Sequence, residues 1–318
     1  MPRAVEGNRD NITRRRAVLL TQSDIQKTLF MGGGARDGLH SGQTGQGASE
    51  DFGMSGRVDG VGSKHEFADY SWKELKEISA RIAAAGSDAE GLAIAKEYNL
   101  VDEGGRLRGD DTKAITLKDK HKTTAWIRIL GFRHDELAGG GKAGISFEFA
   151  DVSARHRMNP GRTNEGGWER SKMRGWLNDG RAGFLALLPD DLRPHVALAM
   201  KRTNNTGEVM RKNDNSPVTA TPDALWLLSV SEVYGGVPSW MYSPATCDAE
   251  GTQYKLYADK GVTAENYGFC VKHGADSWWW LRSPRARDSH GFHNVSRDGD
   301  WDFGNAGSEW GVSPGFCF

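Results

Sequence analysis

WWWLRSP at residues 278–284 and GVSPGFCF at residues 311–318 are two apolar stretches that bracket a polar segment, residues 285–310. Three consecutive tryptophans cannot all stay in water, and each buried aromatic ring fixes the backbone that carries it. The segment between the two anchors mixes Arg, Asp, His, Ser, Asn and Gly without a helical period. A polar segment held at both ends is rigidly presented, as recognition requires. The pattern predicts a display surface, with an ordinary solvated loop as the alternative.

The middle of this segment carries the signal for a β-hairpin. Asp298-Gly299 favours a two-residue turn, in which both central residues need a positive φ. Short extended segments flank this dipeptide. We therefore predict paired strands at about residues 291–297 and 300–304.

Composition argues against several classes of function. The chain has 318 residues, with 41 Lys and Arg against 42 Asp and Glu, so its net charge is −1. No global field favours nucleic acid or an anionic membrane. No apolar run is long enough to span a membrane, and residues 1–10 lack the apolar core of a signal peptide. We expect no nucleic-acid partner, no membrane insertion and no export by the general secretory route.

The N-terminal part differs in composition from the rest of the chain. Residues 31–64 are dominated by Gly, Ser, Asp and Gln, which cannot support a core of their own. We predict that residues 1–68 are a Gly-rich arm for attachment or oligomerisation. Residues 69–115 would be a helical lead-in, and residues 116–318 a ligand-binding domain.

Local patterns place helices after this arm. Ser71 with Glu74, and Ser87 with Glu90, have the spacing of capping boxes and precede apolar residues of helical period. Two short helices are predicted there. A third helix is predicted at about residues 168–178, where apolar side chains form a stripe.

Strand patterns occupy other parts of the chain. Residues 124–132 are rich in β-formers, and residues 145–149 alternate apolar and polar side chains. The continuous apolar run at residues 225–230 predicts a buried strand. Helices and strands in this mixture predict one α+β domain with many loops.

Four carboxylates in the polar segment have the spacing of a calcium loop. Asp298, Asp300, Asp302 and Glu309 match template positions 1, 3, 5 and 12. Phe303 stands where that loop requires glycine, and no helical pattern flanks it. A bound calcium ion is therefore left open, although we predict no metal and no cofactor.

Histidines and cysteines give no metal or redox motif. His290 and His293 are three residues apart, which on a strand points them to opposite faces. The three cysteines, Cys247, Cys270 and Cys317, are too few for a disulfide framework. Cys270 and Cys317 have aromatic neighbours and are predicted to be buried free thiols. We expect no catalytic residue.

Seven short motifs, taken in order, resemble a family of phage and gut-bacterial proteins. They are GDDTK at 109–113, GFRHD at 131–135, GGWE at 166–169, MRGWLN at 173–178, LLP at 187–189, DALWLLSVSEV at 223–233 and WWLRSP at 279–284. The resemblance covers about residues 71–318. The ordered combination is specific, whereas each motif alone is weak.

Members that end in these two anchors are similar to the target proteins of diversity-generating retroelements. The resemblance implies a C-type lectin-like fold, related to the formylglycine-generating-enzyme variety, whose terminal segment is rewritten by adenine-directed mutagenesis. Asparagine codons are the usual substrate and can become Arg, Asp, Ser, His, Gly, Tyr or Phe, which suits residues 285–310. The scaffold positions would be Phe292, Val295, Gly299, Ala306 and Gly311.

The same resemblance marks the variable, ligand-binding positions. They are Arg285, Arg287, Asp288, His290, Gly291, His293, Asn294, Ser296, Arg297, Asp300, Trp301, Asp302, Phe303, Gly304, Asn305, Ser308, Glu309 and Trp310. The aromatic residues and arginines among them are the expected energetic anchors, because Trp, Tyr and Arg dominate binding hot spots.

The implied function is binding of a protein or glycan receptor on a target cell surface, from a phage tail or a cell-surface adhesin. Homo-oligomers would form through the N-terminal arm. Two alternatives stay open. One is an enzyme of the formylglycine-generating type on the same scaffold, which would need a reactive thiol or a metal site in a cleft. The other is a structural virion fibre protein that attaches through residues 1–68.

Overall fold

The structure, a computed structural model, describes residues 65–204, 218–236, 249–274, 278–285 and 288–318. Contacts group Gly60–Phe318 into one compact unit. Phe67 belongs to this unit, because its ring is 2 % exposed and lies 6.2 Å from the Phe147 ring. Packing on the core thus begins inside the segment predicted as an arm, most of which lies outside the described residues.

The first long helix starts where the sequence indicates. α1 (Trp72–Ala84) begins after Ser71, whose hydroxyl accepts a hydrogen bond from the Glu74 amide at 3.2 Å. The Glu74 carboxylate accepts one from the Ser71 amide at 2.7 Å. This reciprocal pair confirms the predicted capping box. The apolar face of the helix is buried at Leu75, Ile78 and Ile82.

The other described helices are shorter. They are α2 (Asp88–Glu97), α3 (Gly167–Arg170), α4 (Lys172–Asn178), α5 (Val230–Tyr234) and α6 (Lys255–Asp259). Single 3₁₀ turns lie at Phe67–Asp69, Phe184–Leu187, Arg193–His195 and Gly268–Cys270. The single helix predicted at residues 168–178 is in fact two helices. The chain leaves helical geometry at Ser171, whose hydroxyl caps α4 by accepting from the Arg174 amide at 3.0 Å.

Four antiparallel strands form the first sheet. They are β1 (Lys113–Thr116), β2 (Thr124–Phe132), β3 (Ile145–Phe149) and β11 (Gly315–Cys317), in the order β1-β2-β3-β11. Both predicted strands, at residues 124–132 and 145–149, are confirmed. The Phe316 and Phe318 rings lie 5.1 Å and 4.8 Å from the Phe147 ring. The second predicted anchor is therefore part of the core.

Five strands form the second sheet. They are β4 (Ala154–Arg157), β7 (Trp279–Pro284), β8 (Gly291–Val295), β9 (Trp301–Asn305) and β10 (Glu309–Val312), in the order β4-β10-β7-β8-β9. β7 and β10 run parallel, and the other neighbours are antiparallel. Trp279 and Trp280 are fully buried, which confirms the first predicted anchor. β8 is an internal strand, and β9 is an edge strand.

Two further described strands, β5 (Ala199–Asn204) and β6 (Val218–Asp223), form a two-stranded sheet. Residues 225–230 are buried but do not form the predicted strand. Trp226 makes an isolated bridge to Gly315, and α5 follows directly. A short apolar run marks burial without distinguishing a strand from another buried segment.

Helices and sheets together confirm the α+β class. Within the described ranges, the helices are too short or too polar to cross a membrane.

Candidate functional site

The predicted hairpin is present, but its turn is longer than expected. Strands β8 and β9 pair in register, with Val295 opposite Trp301. The Ser296 amide donates to the Asp300 carbonyl at 2.7 Å, which closes a three-residue loop. Of the predicted Asp298-Gly299 pair, only Gly299 has a positive φ, at 90°. The turn is therefore a three-residue turn with glycine in the left-handed position, a common alternative to the predicted two-residue turn.

The scaffold holds this turn through its backbone. The Tyr234 hydroxyl donates to the Gly299 carbonyl oxygen at 2.7 Å. A Cβ atom at position 299 would lie 2.2 Å from the Tyr267 carbonyl oxygen. Position 299 therefore requires glycine for close approach as well as for its φ.

A single buried side chain closes the loop that precedes β8. Asn164 is fully buried, and its Nδ2 atom lies 2.6 Å, 2.8 Å and 3.3 Å from the carbonyl oxygens of Asp288, Gly291 and Arg285. Its backbone amide donates to the Ser289 carbonyl at 3.0 Å. At these points the loop is thus held through its own main-chain carbonyl groups.

The start of β10 is held in a similar way. Arg155 Nη2 donates to the Glu309 carbonyl oxygen at 2.8 Å. The Asn159 amide donates to the Ala306 carbonyl at 2.9 Å. Sequence reasoning missed Arg155, Asn164 and Tyr234, because they lie far from the polar segment along the chain and belong to no motif.

Most of the predicted ligand-binding residues reach solvent. The exposed ones are His290, Arg297, Phe303, Asn305 and Glu309. The half-buried ones are Arg285, Asp288, Ser296, Asp300, Asp302, Gly304, Ser308 and Trp310. Arg287 lies outside the described residues.

Four predicted positions are interior, which corrects the predicted surface. Gly291, His293, Asn294 and Trp301 are buried. The first three lie on β8, where neighbouring strands on both sides and packing on both faces leave no outward position. Trp301 is 7 % exposed and lies beside His293, with 5.8 Å between the ring centroids. In this structure these side chains cannot contact a ligand on the outer surface.

Arg285 and Phe303 form the most organised exposed contact. The Arg285 guanidinium carbon lies 3.1 Å from the Phe303 ring centroid, and its Nη1 atom lies 3.1 Å from Asp288 Oδ2. The Phe303 side chain is 39 % exposed. A cation held between a ring and a carboxylate loses little further freedom on binding.

Burial sets the charge state of His293. Desolvation lowers the pKa of His293 to about 4, so its ring is neutral at pH 7. Its Nδ1 atom donates to the Asp302 carbonyl oxygen across a distance of 3.1 Å. His290 is exposed beside Asp288, and the two histidines do not meet.

One carboxylate of the calcium template, that of Asp302, makes a hydrogen bond within the hairpin itself. Asp302 Oδ1 accepts a hydrogen bond from the Phe303 amide at 2.7 Å on the free edge of β9. Partial burial raises the pKa of Asp300, with a further contribution from Asp302 and Asp298. In the part of the chain that the structure describes, no three His, Cys, Asp or Glu side chains are grouped to hold a metal ion.

The described cysteines are not poised as nucleophiles. Cys270 and Cys317 are fully buried free thiols, as predicted. Burial raises the pKa of Cys270 to about 12 and also raises the pKa of Cys317 well above its ordinary value. Cys247 lies outside the described residues.

Three of the motifs meet in one buried ion cluster. Lys201 Nζ lies 2.6 Å from Asp135 Oδ1 and 2.5 Å from Glu232 Oε1, while Arg282 Nη2 donates to Glu232 Oε1 at 3.0 Å. Burial opposes ionisation, but Arg282 and Lys201 hold the pKa of Glu232 below its ordinary value. The motifs GFRHD, DALWLLSVSEV and WWLRSP thus contribute Asp135, Glu232 and Arg282 to one cluster of buried charges. The cost of removing one partner from such a cluster is several kcal/mol.

The chain was compared with protein families, curated proteins and solved structures, and only a family matched. No curated protein and no solved structure matches the chain. A family of domains of unknown function, DUF6273, matches residues 147–318, which include the last three residues of β3, all of β4 to β11 and the whole polar segment. The chain belongs to the DUF6273 family.

Proposed function

We propose that this chain is a ligand-binding protein that displays residues 285–310 as an exchangeable surface on a C-type lectin-like fold. One observation carries the proposal. Asn164, Tyr234 and Arg155 hold the segment through its main-chain carbonyl oxygens. These hydrogen bonds do not depend on which side chains the segment carries. Its outward residues can therefore change while its path stays fixed.

The side chains of the segment fall into two groups, one buried in the core and one exposed to solvent. Phe292, Val295 and Ala306 are fully buried and tie the segment to the core. The exposed side chains of Phe303, Asn305 and Glu309 lie outside this core, so their substitution leaves it intact, whereas Trp310 packs on Trp280. This division suits a surface whose specificity varies while its stability does not.

The recognition chemistry follows from the exposed groups. Arg285, stacked on Phe303 and paired with Asp288, offers an oriented cation beside an aromatic face. Trp310 adds a second half-exposed aromatic ring. Aromatic and arginine side chains of this kind supply most of the energy in protein interfaces. The partner we infer is a protein or glycan receptor on a target cell surface.

The resemblance to target proteins of diversity-generating retroelements extends this proposal. It supports adenine-directed rewriting of residues 285–310 and a place on a phage tail or a cell surface. An imperfect repeat of the coding DNA for residues 278–318, differing only at adenines and lying near a reverse transcriptase gene, is the expected genomic sign. A genomic neighbourhood without such a repeat would refute the rewriting, though not the binding.

The binding function is tested by staining gut-bacterial isolates with fluorescently labelled protein and reading the cells by flow cytometry. We expect the protein to stain a subset of isolates. Phe303→Ala should abolish staining, because it removes the ring that orients Arg285. Its melting temperature should stay within about 3 °C of the unchanged protein.

The matched control is Trp126→Ala. Trp126 is 40 % exposed, like Phe303 at 39 %, but lies on β2 of the other sheet. It should leave both staining and melting temperature unchanged. Equal loss of staining in both variants, or a large fall in the melting temperature of Phe303→Ala, would contradict the proposal.

A further inference from the structure

Asn294 is a buried amide whose hydrogen-bonding groups are unused. Its side chain is 0 % exposed, and neither Oδ1 nor Nδ2 has a hydrogen-bond partner among the described residues. Leaving a buried donor or acceptor unpaired costs about 1–3 kcal/mol. A polar residue kept in this state in the middle of a recognition surface points to a ligand that would satisfy it.

The surroundings of Asn294 are defined by strand register. Trp280 on β7 and Asp302 on β9 lie directly opposite it and therefore share its face of the sheet. Gly304 lies two residues beyond Asp302 on the same face. This face thus combines a flat aromatic ring, an amide, a carboxylate and a position without a side chain.

Trp310 closes this face from the β10 side. Its ring centroid lies 4.3 Å from that of Trp280 and 5.6 Å from that of Trp278. The far edge of the ring reaches β9, where a Cβ atom at position 304 would lie only 1.6 Å from Trp310 Cη2. The indole therefore spans from β7 to β9, across the strand that carries Asn294. Trp310 itself is half-buried, with solvent on its other side.

We propose that Trp310 is a displaceable lid over a pocket for a neutral pyranose, with Asn294 as its hydrogen-bonding residue and Trp280 as its floor. This inference rests on the proposed ligand-binding function and names a substrate class for it. When the indole swings outward, the space that it leaves is close in size to a sugar ring.

The chemistry of Trp280, Asn294 and Asp302 selects the ligand class. A pyranose has an apolar face that stacks on an indole, and hydroxyl groups that both donate and accept. The Asn294 amide supplies a donor and an acceptor side by side, and the Asp302 carboxylate accepts. None of these three side chains is a cation, so none of them can neutralise a phosphate, a sulfate or an acidic sugar.

Gly304 is the position on β9 against which the edge of the Trp310 ring packs. Any side chain at this position would occupy the volume of the Trp310 ring edge and force the ring away. Gly304→Ala is therefore a second way to open the pocket without touching Trp310 or Asn294. Positions 304 and 310 are coupled in this arrangement, and a double-mutant cycle would measure that coupling.

The test is calorimetric titration of the whole chain with methyl glucopyranoside, methyl galactopyranoside and N-acetylglucosamine. Trp310→Ala should bind at least one of them more tightly than the unchanged protein, which must first displace its lid. Adding Asn294→Leu to Trp310→Ala should weaken that binding by about tenfold or more. Melting temperatures verify that each variant is folded, and Gly304→Ala replaces Trp310→Ala if the latter does not fold.

Several outcomes would overturn the inference. They are no binding of any pyranoside to either opened variant, equal binding with and without Asn294→Leu, or preferential binding of N-acetyltyrosine amide, which would indicate a protein side chain instead. The cell-staining test with Phe303→Ala does not use this pocket. Failure here is therefore distinguishable from failure of the proposed function.

Discussion

The two strands of the C-terminal hairpin both mix aromatic and polar residues but lie in different environments. β8 has the sequence Gly-Phe-His-Asn-Val and is buried at every position, whereas β9 has Trp-Asp-Phe-Gly-Asn and is exposed at Phe303 and Asn305. The difference is their place in the sheet, since β8 lies between β7 and β9 and β9 is at the edge. Polar composition therefore identifies the hairpin but does not show which of its strands is exposed to solvent.

The largest expected effect on stability comes from removing the phenylalanine ring of the buried strand. Phe292→Ala on β8 removes a fully buried ring and should lower the free energy of unfolding by about 3–5 kcal/mol. Urea denaturation followed by tryptophan fluorescence measures it. A loss below about 1 kcal/mol would mean that β8 is not part of the core.

The second prediction uses the pH dependence of stability. Burial lowers the pKa of His293 from 6.5 to about 4, so between these pH values the unfolded chain binds a proton that the folded chain excludes. Its contribution to stability is complete above pH 6.5 and is lost as pH falls towards 4, by up to about 3 kcal/mol. Denaturation at several pH values should show this fall. It should be shallower in His293→Gln than in the unchanged protein.

The third prediction concerns the unpaired amide of Asn294. Asn294→Leu keeps the number and branching of the side-chain heavy atoms and removes two unsatisfied polar atoms, so it should raise the free energy of unfolding by about 1 kcal/mol. The same change at the exposed Asn305 on β9 should instead lower the free energy of unfolding by about 0.5–1 kcal/mol, because its Oδ1 atom accepts a hydrogen bond from the Gly307 amide. Destabilisation by Asn294→Leu in thermal or urea unfolding would show that the amide is satisfied in solution.

The smallest expected effect is on the edge strand. Phe303→Ala should change the free energy of unfolding by no more than about 0.5 kcal/mol, because its ring is 39 % exposed and packs mainly on Arg285. The same urea experiment as for Phe292→Ala gives the direct comparison. A loss as large as that of Phe292→Ala would remove the distinction between the two strands.

Local signals predicted much of this fold. The capping box at Ser71, the bounds of β2 and the positions of both hairpin strands follow from residues within a few positions of one another. Other features could not be predicted in this way. The hydrogen bond from the Asn164 side chain to the Gly291 carbonyl oxygen joins residues 127 apart in sequence. The predicted helix is divided at Ser171, where one hydroxyl group caps α4.

The motifs also gave a mixed result. WWLRSP predicted a buried anchor correctly, since its tryptophans can only be stable away from water. It did not indicate that Arg282 would join Glu232 and Lys201 in a buried ion cluster. Asp135 and Glu232 balance the charges of Lys201 and Arg282 there, and these four residues come from four separate segments, so no single segment contains that information.

The sequence by itself determined the anchors, the hairpin and the polar character of the segment, because apolar burial and turn preference act on neighbouring residues. Only the tertiary structure decided that β10 returns to the far side of β7, leaving β8 inside and β9 at the edge. That placement buries His293 and Asn294 and exposes Phe303. The physical reason is that strand order depends on pairing between distant segments, and exposure depends on strand order.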